Sequence, residues 1–164
     1  MEPNIKKVLV PVDFSDYSKS SLKYAVNLAK QFNAEVCLIY VVEPMVYPPD
    51  FSMGQIAIPS VDIEMDKRAL EELNNLAKKE IPPDIKSKVI VKTGKPFVEI
   101  IETASEENVD LIIIATHGHS GIEHVLFGST AEKVVRKAPC PVLTLREPIK
   151  GFGYKEEIKK EKSS

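Results

Sequence analysis

Two runs in this chain, Glu35 to Val42 and Leu111 to Ala115, are too continuously apolar to leave one face in water. Strands of that kind sit inside a parallel sheet covered on both faces, and parallel neighbours need helical crossovers between them. The rest of the sequence supplies those parts in order. A β-branched run from Ile5 to Val12, interrupted by Lys6 and Lys7, is the first strand. Ser15, Asp16 and Ser18 then offer N-caps to a helix whose Leu22, Ala25, Val26 and Ala29 repeat at i, i+3, i+4, i+7 and which ends around Phe32-Asn33.

After the second strand the pattern dissolves from Glu43 to Ser60 into Pro44, Pro48, Pro49, Gly54 and Pro59 with apolar residues between them. Structureless connections of that length are uncommon, and this one reads as a lid, a partner surface or a mobile segment. Val61 to Glu80 is helical, with Leu70, Leu73, Leu76 and Ala77 on its apolar face, and Pro82-Pro83 stops it. Lys88 to Lys92 is the third strand. Pro96 opens a helix carrying Phe97, Ile100, Ile101 and Ala104, which ends by Asn108. Leu111 to Ala115 is the fourth strand. Ser129 and Glu132 have capping-box spacing at the head of a fourth helix with Ala131, Val134, Val135 and Ala138 on its buried face. Pro141 to Leu145 is the last strand, and the charged stretch from Glu147 to Ser164 is expected to be a frayed tail.

This alternation predicts a single α/β domain over residues 1–146, with a five-stranded parallel sheet and helices on both faces. Right-handed crossovers allow the chain to wind outward from the first strand and return to lay the fourth beside it. A crevice then opens between the carboxyl ends of strands one and four, where such sheets bind ligands, and it brings Asp13 to the glycine-punctuated loop after Ala115. In that loop Gly118 allows a sharp turn, while Gly128-Ser129 brings N–H groups and a hydroxyl to the amino end of a helix, an arrangement suited to phosphate. Neither G-x-G-x-x-G after the first strand nor G-x-x-x-x-G-K-[ST] is present, so a nucleotide site must be of another kind.

Charge and cysteine content narrow the classes further. A net charge of −2 gives no basic field for nucleic acid. No apolar run approaches membrane-spanning length, and Met1-Glu2-Pro3-Asn4 has no signal-peptide character, so a cytoplasmic protein is expected. Cys37 and Cys140 are too few for a disulfide framework, and both read as packed residues. All three histidines, His117, His119 and His124, fall within eight positions, yet the glycines between them assure no common face, and no metal site is assigned. No phosphate-loop lysine or acid/base pair is assembled. A binding role is favoured over turnover, with slow hydrolysis the most that is expected.

The Val10-Pro11-Val12-Asp13 strand end, the run from Asp110 to Gly118, the Gly128-Ser129 step and Ala138-Pro139-Cys140-Pro141-Val142 together resemble the universal stress protein family over about residues 4 to 146. The resemblance implies an adenine-nucleotide-binding fold of strand order 3-2-1-4-5, commonly a homodimer joined through the last strand, here Val142, Leu143 and Leu145. It implies that Pro11, Val12 and Asp13 lie by the adenosine, with Asp13 near base or ribose, and that Val41 lines the adenine pocket. Gly118, His119, Gly128, Ser129 and Thr130 then surround the phosphates. The motif of the ATP-binding branch is Gly-x-x-Gly, nine residues, Gly-[Ser/Thr]. Its first glycine is Ala115 in this chain, whose methyl narrows the pocket only mildly if the backbone keeps negative φ. The expected function is an ATP-binding, or AMP- or ADP-binding, homodimeric switch in stress response, with Mg²⁺ held through the phosphates and a protein partner of unknown identity. The alternatives are a nucleotide-free dimeric interaction protein of the same family and a slow ATP hydrolase.

Overall fold

The element order follows from how each segment buries its apolar side. In a computed structural model, which describes residues 4–44, 59–117 and 127–146, the order is β1 (Lys7–Pro11), α1 (Asp16–Phe32), β2 (Glu35–Val42), α2 (Pro59–Glu80), β3 (Ser87–Thr93), α3 (Pro96–Glu106), β4 (Leu111–Ala115), α4 (Ser129–Lys137) and β5 (Val142–Leu145). The five strands form one parallel sheet in the order β3-β2-β1-β4-β5, as the sequence predicts. Most of the connection from Glu43 to Ser60 and the stretch from Glu147 onward lie outside the described residues. Among the described residues no helix is long and apolar enough to cross a membrane.

Successive strand residues point to opposite faces, and the core divides accordingly. Val8, Val10, Val36, Leu38, Leu111 and Ile113 pack with Leu22, Ala25 and Val26 of α1 and with Leu73 and Leu76 of α2. Leu9, Cys37, Ile39, Ile112 and Ile114 pack on the other face with Ile100 and Ala104 of α3 and with Ala131 and Val134 of α4. The central strands are apolar throughout because each face has its own helical layer.

Several boundaries and faces differ from the sequence expectation. Strand β1 is shorter than Ile5 to Val12, although the Val12 N–H still donates to the Ile39 carbonyl at 2.9 Å. Helix α2 starts at Pro59, not Val61, since proline is at ease in a first helical turn. Leu70, expected on the buried face of α2, is 42% exposed, and Ala69 is buried instead. At about 100° per residue Leu70 stands some 60° from Leu73, on the margin of the stripe. Val135 is 45% exposed, turned about 100° away from the buried Val134. The capping box is not formed either: Gly128 is the N-cap of α4, and Glu132 pairs with Arg136 at 3.2 Å.

At the amino ends of the strands, polar side chains close the sheet. The Asp110 carboxylate accepts the N–H groups of both Lys6 and Lys7 at 2.9 Å, tying the start of β1 to the start of β4. Asp110→Ala is expected to cost about 1–3 kcal/mol, read as a fall in the urea midpoint without a change in slope.

Glu107 accepts from Lys88 at 2.6 Å and also meets Lys7 at 3.5 Å. The hydrogen bond from Lys88, aided by the charges of Lys88 and Lys7, holds the Glu107 carboxyl below its ordinary 4.5 against partial desolvation. The carboxyl is therefore harder to protonate in the folded chain than in the unfolded one. Its stabilisation is complete above pH 4.5 and is lost as pH falls through the lower folded value. The difference in denaturation midpoint between the native chain and Glu107→Gln should be flat at neutral pH and shrink as the pH falls below 4.5.

One buried polar group stands out. Thr103 on α3 is 1% exposed and its hydroxyl lacks a hydrogen-bond partner. Thr103→Val keeps the shape and removes the orphan, so thermal denaturation should show a gain of about 1 kcal/mol.

Candidate functional site

The order of connection reverses at β1, which has β2 on one side and β4 on the other, so the loops leaving β1 and β4 part in opposite directions. A cleft of about 780 Å³ opens at their carboxyl ends, within the roughly 300–1,000 Å³ usual for small-molecule sites. Pro11, Val12 and Asp13 from β1 and its exit, Val41 from β2, Ala115 from β4, and Gly128, Ser129 and Thr130 from the head of α4 all line it. Eight of the ten residues singled out in the sequence are thus brought together. The other two, Gly118 and His119, lie outside the described residues, as does His124.

The exit from β1 is a tight, strained turn. Phe14 has φ 62, a conformation costly for a bulky side chain. Asp13 spans it: one carboxylate oxygen accepts the Ser15 N–H at 3.0 Å and also the Ser15 hydroxyl. Ser15 in turn caps α1 by accepting the Ser18 N–H at 3.2 Å, and Ser18 Oγ accepts the Asp13 N–H at 3.3 Å. The Phe14 ring packs on Tyr40 with centroids 4.9 Å apart. Asp13 therefore holds the cleft wall in shape as well as lining it.

Across the cleft, Ala115 lies within β4, and its φ is not among the positive ones. The conformational objection to alanine at the first motif position is absent. The next residue, Thr116, is buried, and its Oγ1 shares a hydrogen bond of 3.0 Å with His117 Nδ1. The His117 ring meets Tyr17 of α1 at 5.7 Å between centroids.

Gly128 is needed for close approach, not for an unusual backbone. Its φ is −65, yet its N–H donates to the Thr116 carbonyl at 2.6 Å, and a Cβ there would stand 3.2 Å from that same oxygen. The Gly128 N–H is consequently spent on β4 and not offered to a ligand, which corrects the expectation that Gly128 and Ser129 both present N–H groups. The first bond within α4 runs from Glu132 N–H to Gly128 O at 3.0 Å. The N–H groups of Ser129, Thr130 and Ala131 are left without an acceptor in the helix and carry its positive dipole end. All three residues line the cleft.

Sequence reasoning missed several wall residues: Phe14, Tyr40, Thr116, His117, and from α2 Met65 and Glu72. Burial pushes the Tyr40 hydroxyl up, with Glu72, then Asp13 and Glu43, adding to the effect. All three of those carboxylates belong to residues that line the cleft. Period-2 alternation would have placed Tyr40 and Val41 on opposite faces, but nothing in the local sequence aims α2 at the cleft. The cysteines behave as expected: Cys37 is buried, which pushes its thiol up to about 11, and half-buried Cys140 is raised by the same cause. Among the described residues no group of three or more His, Cys, Asp or Glu is placed to hold a metal.

With this geometry in view, the likeness to known proteins is specific. Universal stress protein MJ0531 of Methanocaldococcus jannaschii is 37% identical over 147 residues, 88% of this chain and 84% of its own. The solved structure of protein MJ0577 from the same organism superposes with a TM-score of 0.75 at 28% identity, over 88% of this chain and 97% of that one. A universal stress protein crystallised in complex with cAMP superposes with a TM-score of 0.59 at 27% identity, over 87% and 97% of the two chains. Residues 4–146 match the universal stress protein family as a whole, and the chain belongs to that family.

Proposed function

We propose that this protein is an adenine-nucleotide-binding regulator of the stress response that works as a homodimeric switch, taking ATP, ADP or AMP in the cleft between β1 and β4. The observation that carries the reading is the convergence of the β1 exit and the head of α4 on one cleft of nucleotide size. Adenosine would lie along Pro11, Val12, Asp13 and Val41, and the phosphates at Ser129 and Thr130, approached also by Gly118 and His119. That a related protein was crystallised with cAMP supports the adenine class. A divalent ion such as Mg²⁺ would be held mainly through the phosphates. The reading includes a cytoplasmic location and a protein partner whose identity is open.

The two sheet edges support dimerisation through β5. Strand β3 carries Lys88 and Lys92, paired with Glu107, the C-cap residue of α3, and with Glu106 at its end, and charged edges resist pairing. Strand β5 is Val142, Leu143, Thr144 and Leu145, uncharged and half-buried, and α4 beside it exposes Val135. An edge of that kind gains by pairing with a second copy.

Small molecules released from freshly purified protein, together with thermal shift on adding ATP, test the nucleotide reading. Neither a bound adenine nucleotide nor a shift would leave the second reading, a nucleotide-free dimeric interaction protein, whose motive is Ala115. Timed ADP formation, compared with Gly118→Val, tests slow hydrolysis, and solution mass tests the dimer.

A further inference from the structure

Asp13 reaches the cleft from a turn that its own backbone resists. Phe14 has φ 62, in the left-handed region that a bulky side chain avoids and that glycine enters at no steric cost. Such a conformation persists only where the surroundings over-determine it. Two serines do so here. Ser15 gives its N–H, at 3.0 Å, and its hydroxyl to one Asp13 carboxylate oxygen. Ser18 Oγ accepts the Asp13 N–H at 3.3 Å and donates to the Ser15 carbonyl at 3.0 Å. Asp13 is thus tied by main chain and side chain alike to residues beyond Phe14, and the bonds close a bracket around the strained residue.

The bracket stands on a fixed base. Ser15 and Ser18 are both buried. The Ser15 hydroxyl caps α1 by accepting the Ser18 N–H at 3.2 Å, and the Ser15 carbonyl accepts the Lys19 N–H at 3.1 Å. One turn further on, Leu22, Ala25 and Val26 lock α1 into the core. Asp13, Phe14 and Ser18 all line the cleft, so a change in this turn is felt at its wall.

We infer that Ser15 and Ser18 are positioning residues of the cleft: by holding Phe14 in the left-handed conformation they fix where the Asp13 carboxylate stands against a ligand. The inference rests on the nucleotide reading above and deepens it, giving two serines a role exercised through Asp13. Without the bracket, residue 14 relaxes toward negative φ, the peptide units on either side turn with it, and the carboxylate leaves its place on the wall.

Relief of the strain separates this role from plain loss of a helix cap. The native chain is titrated calorimetrically with AMP and with ATP, and the tighter ligand is carried into the variants. Ser15→Ala should weaken it by about tenfold, and Ser15→Thr, which keeps the hydroxyl, by less than about threefold. On a Phe14→Gly background, where φ 62 carries no penalty, adding Ser15→Ala should cost less than about threefold in affinity. Stability should not follow affinity. In urea, Ser15→Ala should lower the midpoint at least as far on the Phe14→Gly background as in the native chain, because there is no strain left to release. Should Ser15→Ala not fold, Ser18→Ala, which removes the acceptor of the Asp13 N–H, takes its place in both cycles. Native affinity in the serine variant, or the same loss of affinity on the two backgrounds, would overturn the inference and leave the nucleotide reading intact. Failure of both nucleotides to bind the native chain would overturn both.

Discussion

Gly128→Val should weaken the proposed adenine-nucleotide binding by about tenfold or more, equivalent to about 1.4 kcal/mol, while leaving the protein folded. The cause is approach distance. Because φ at this position is −65, valine's backbone is unstrained, but even its Cβ would lie 3.2 Å from the Thr116 carbonyl oxygen. The two further methyl groups force α4 away from the end of β4 and stretch the 2.6 Å bond from Gly128 N–H to Thr116 O. The N–H groups of Ser129 and Thr130 then move off the position they share with the β1 exit. Gly128→Ala adds only the Cβ, which a shift of a few tenths of an ångström accommodates, and should lose much less. Calorimetry on both variants, with far-ultraviolet dichroism to verify folding, makes the comparison. Native affinity in Gly128→Val would mean that the head of α4 is not where the phosphates bind.

The second large effect is on stability. Ile113 is fully buried in β4 between β1 and β5, in the cluster beneath α1 and α2. Ile113→Ala leaves a cavity that neighbours on two strands and a helical layer cannot close, and the expected loss is about 2–5 kcal/mol. That is a large share of the roughly 5–15 kcal/mol by which domains of this kind are stable. Val135→Ala, at a position of similar apolarity in the sequence, should cost no more than about 0.5 kcal/mol in the monomer. Urea denaturation of the two variants separates them. Equal losses would contradict the assignment of Val135 to the surface.

That contrast also marks how far periodicity reaches. The stripe of Leu22, Ala25, Val26 and Ala29 on α1 was legible because a 17-residue helix packed along the sheet buries one face over its full length. On α4, with nine residues, the same reasoning found Ala131 and Val134 but wrongly added Val135. On α2 it added Leu70 at the margin of the stripe. A local pattern says which residues share a face, and only the neighbours decide how wide a band is covered.

The candidate site divides in the same way. Asp13, Val41 and Gly128-Ser129 were singled out from motif and resemblance, and the described ones meet in a single cleft. Asp13's second task, bracing the strained turn at Phe14, depends on Ser15 and Ser18 two and five residues on. The capping-box reading of Ser129 and Glu132 failed because Gly128 is drawn to Thr116, twelve residues earlier, an attraction no i, i+3 rule contains.

By itself the sequence determined the alternation of strands and helices, the burial of both sheet faces and the placing of a cleft at the carboxyl ends of β1 and β4. Those follow from short-range steric and hydrophobic rules that act along the chain. The tertiary structure alone decided that the Gly128 N–H is spent on β4 and not on a ligand. It also decided that Glu72 of α2 joins Asp13 and Glu43 in the cleft. These depend on distances between segments far apart in the chain, which are set only when the layers pack.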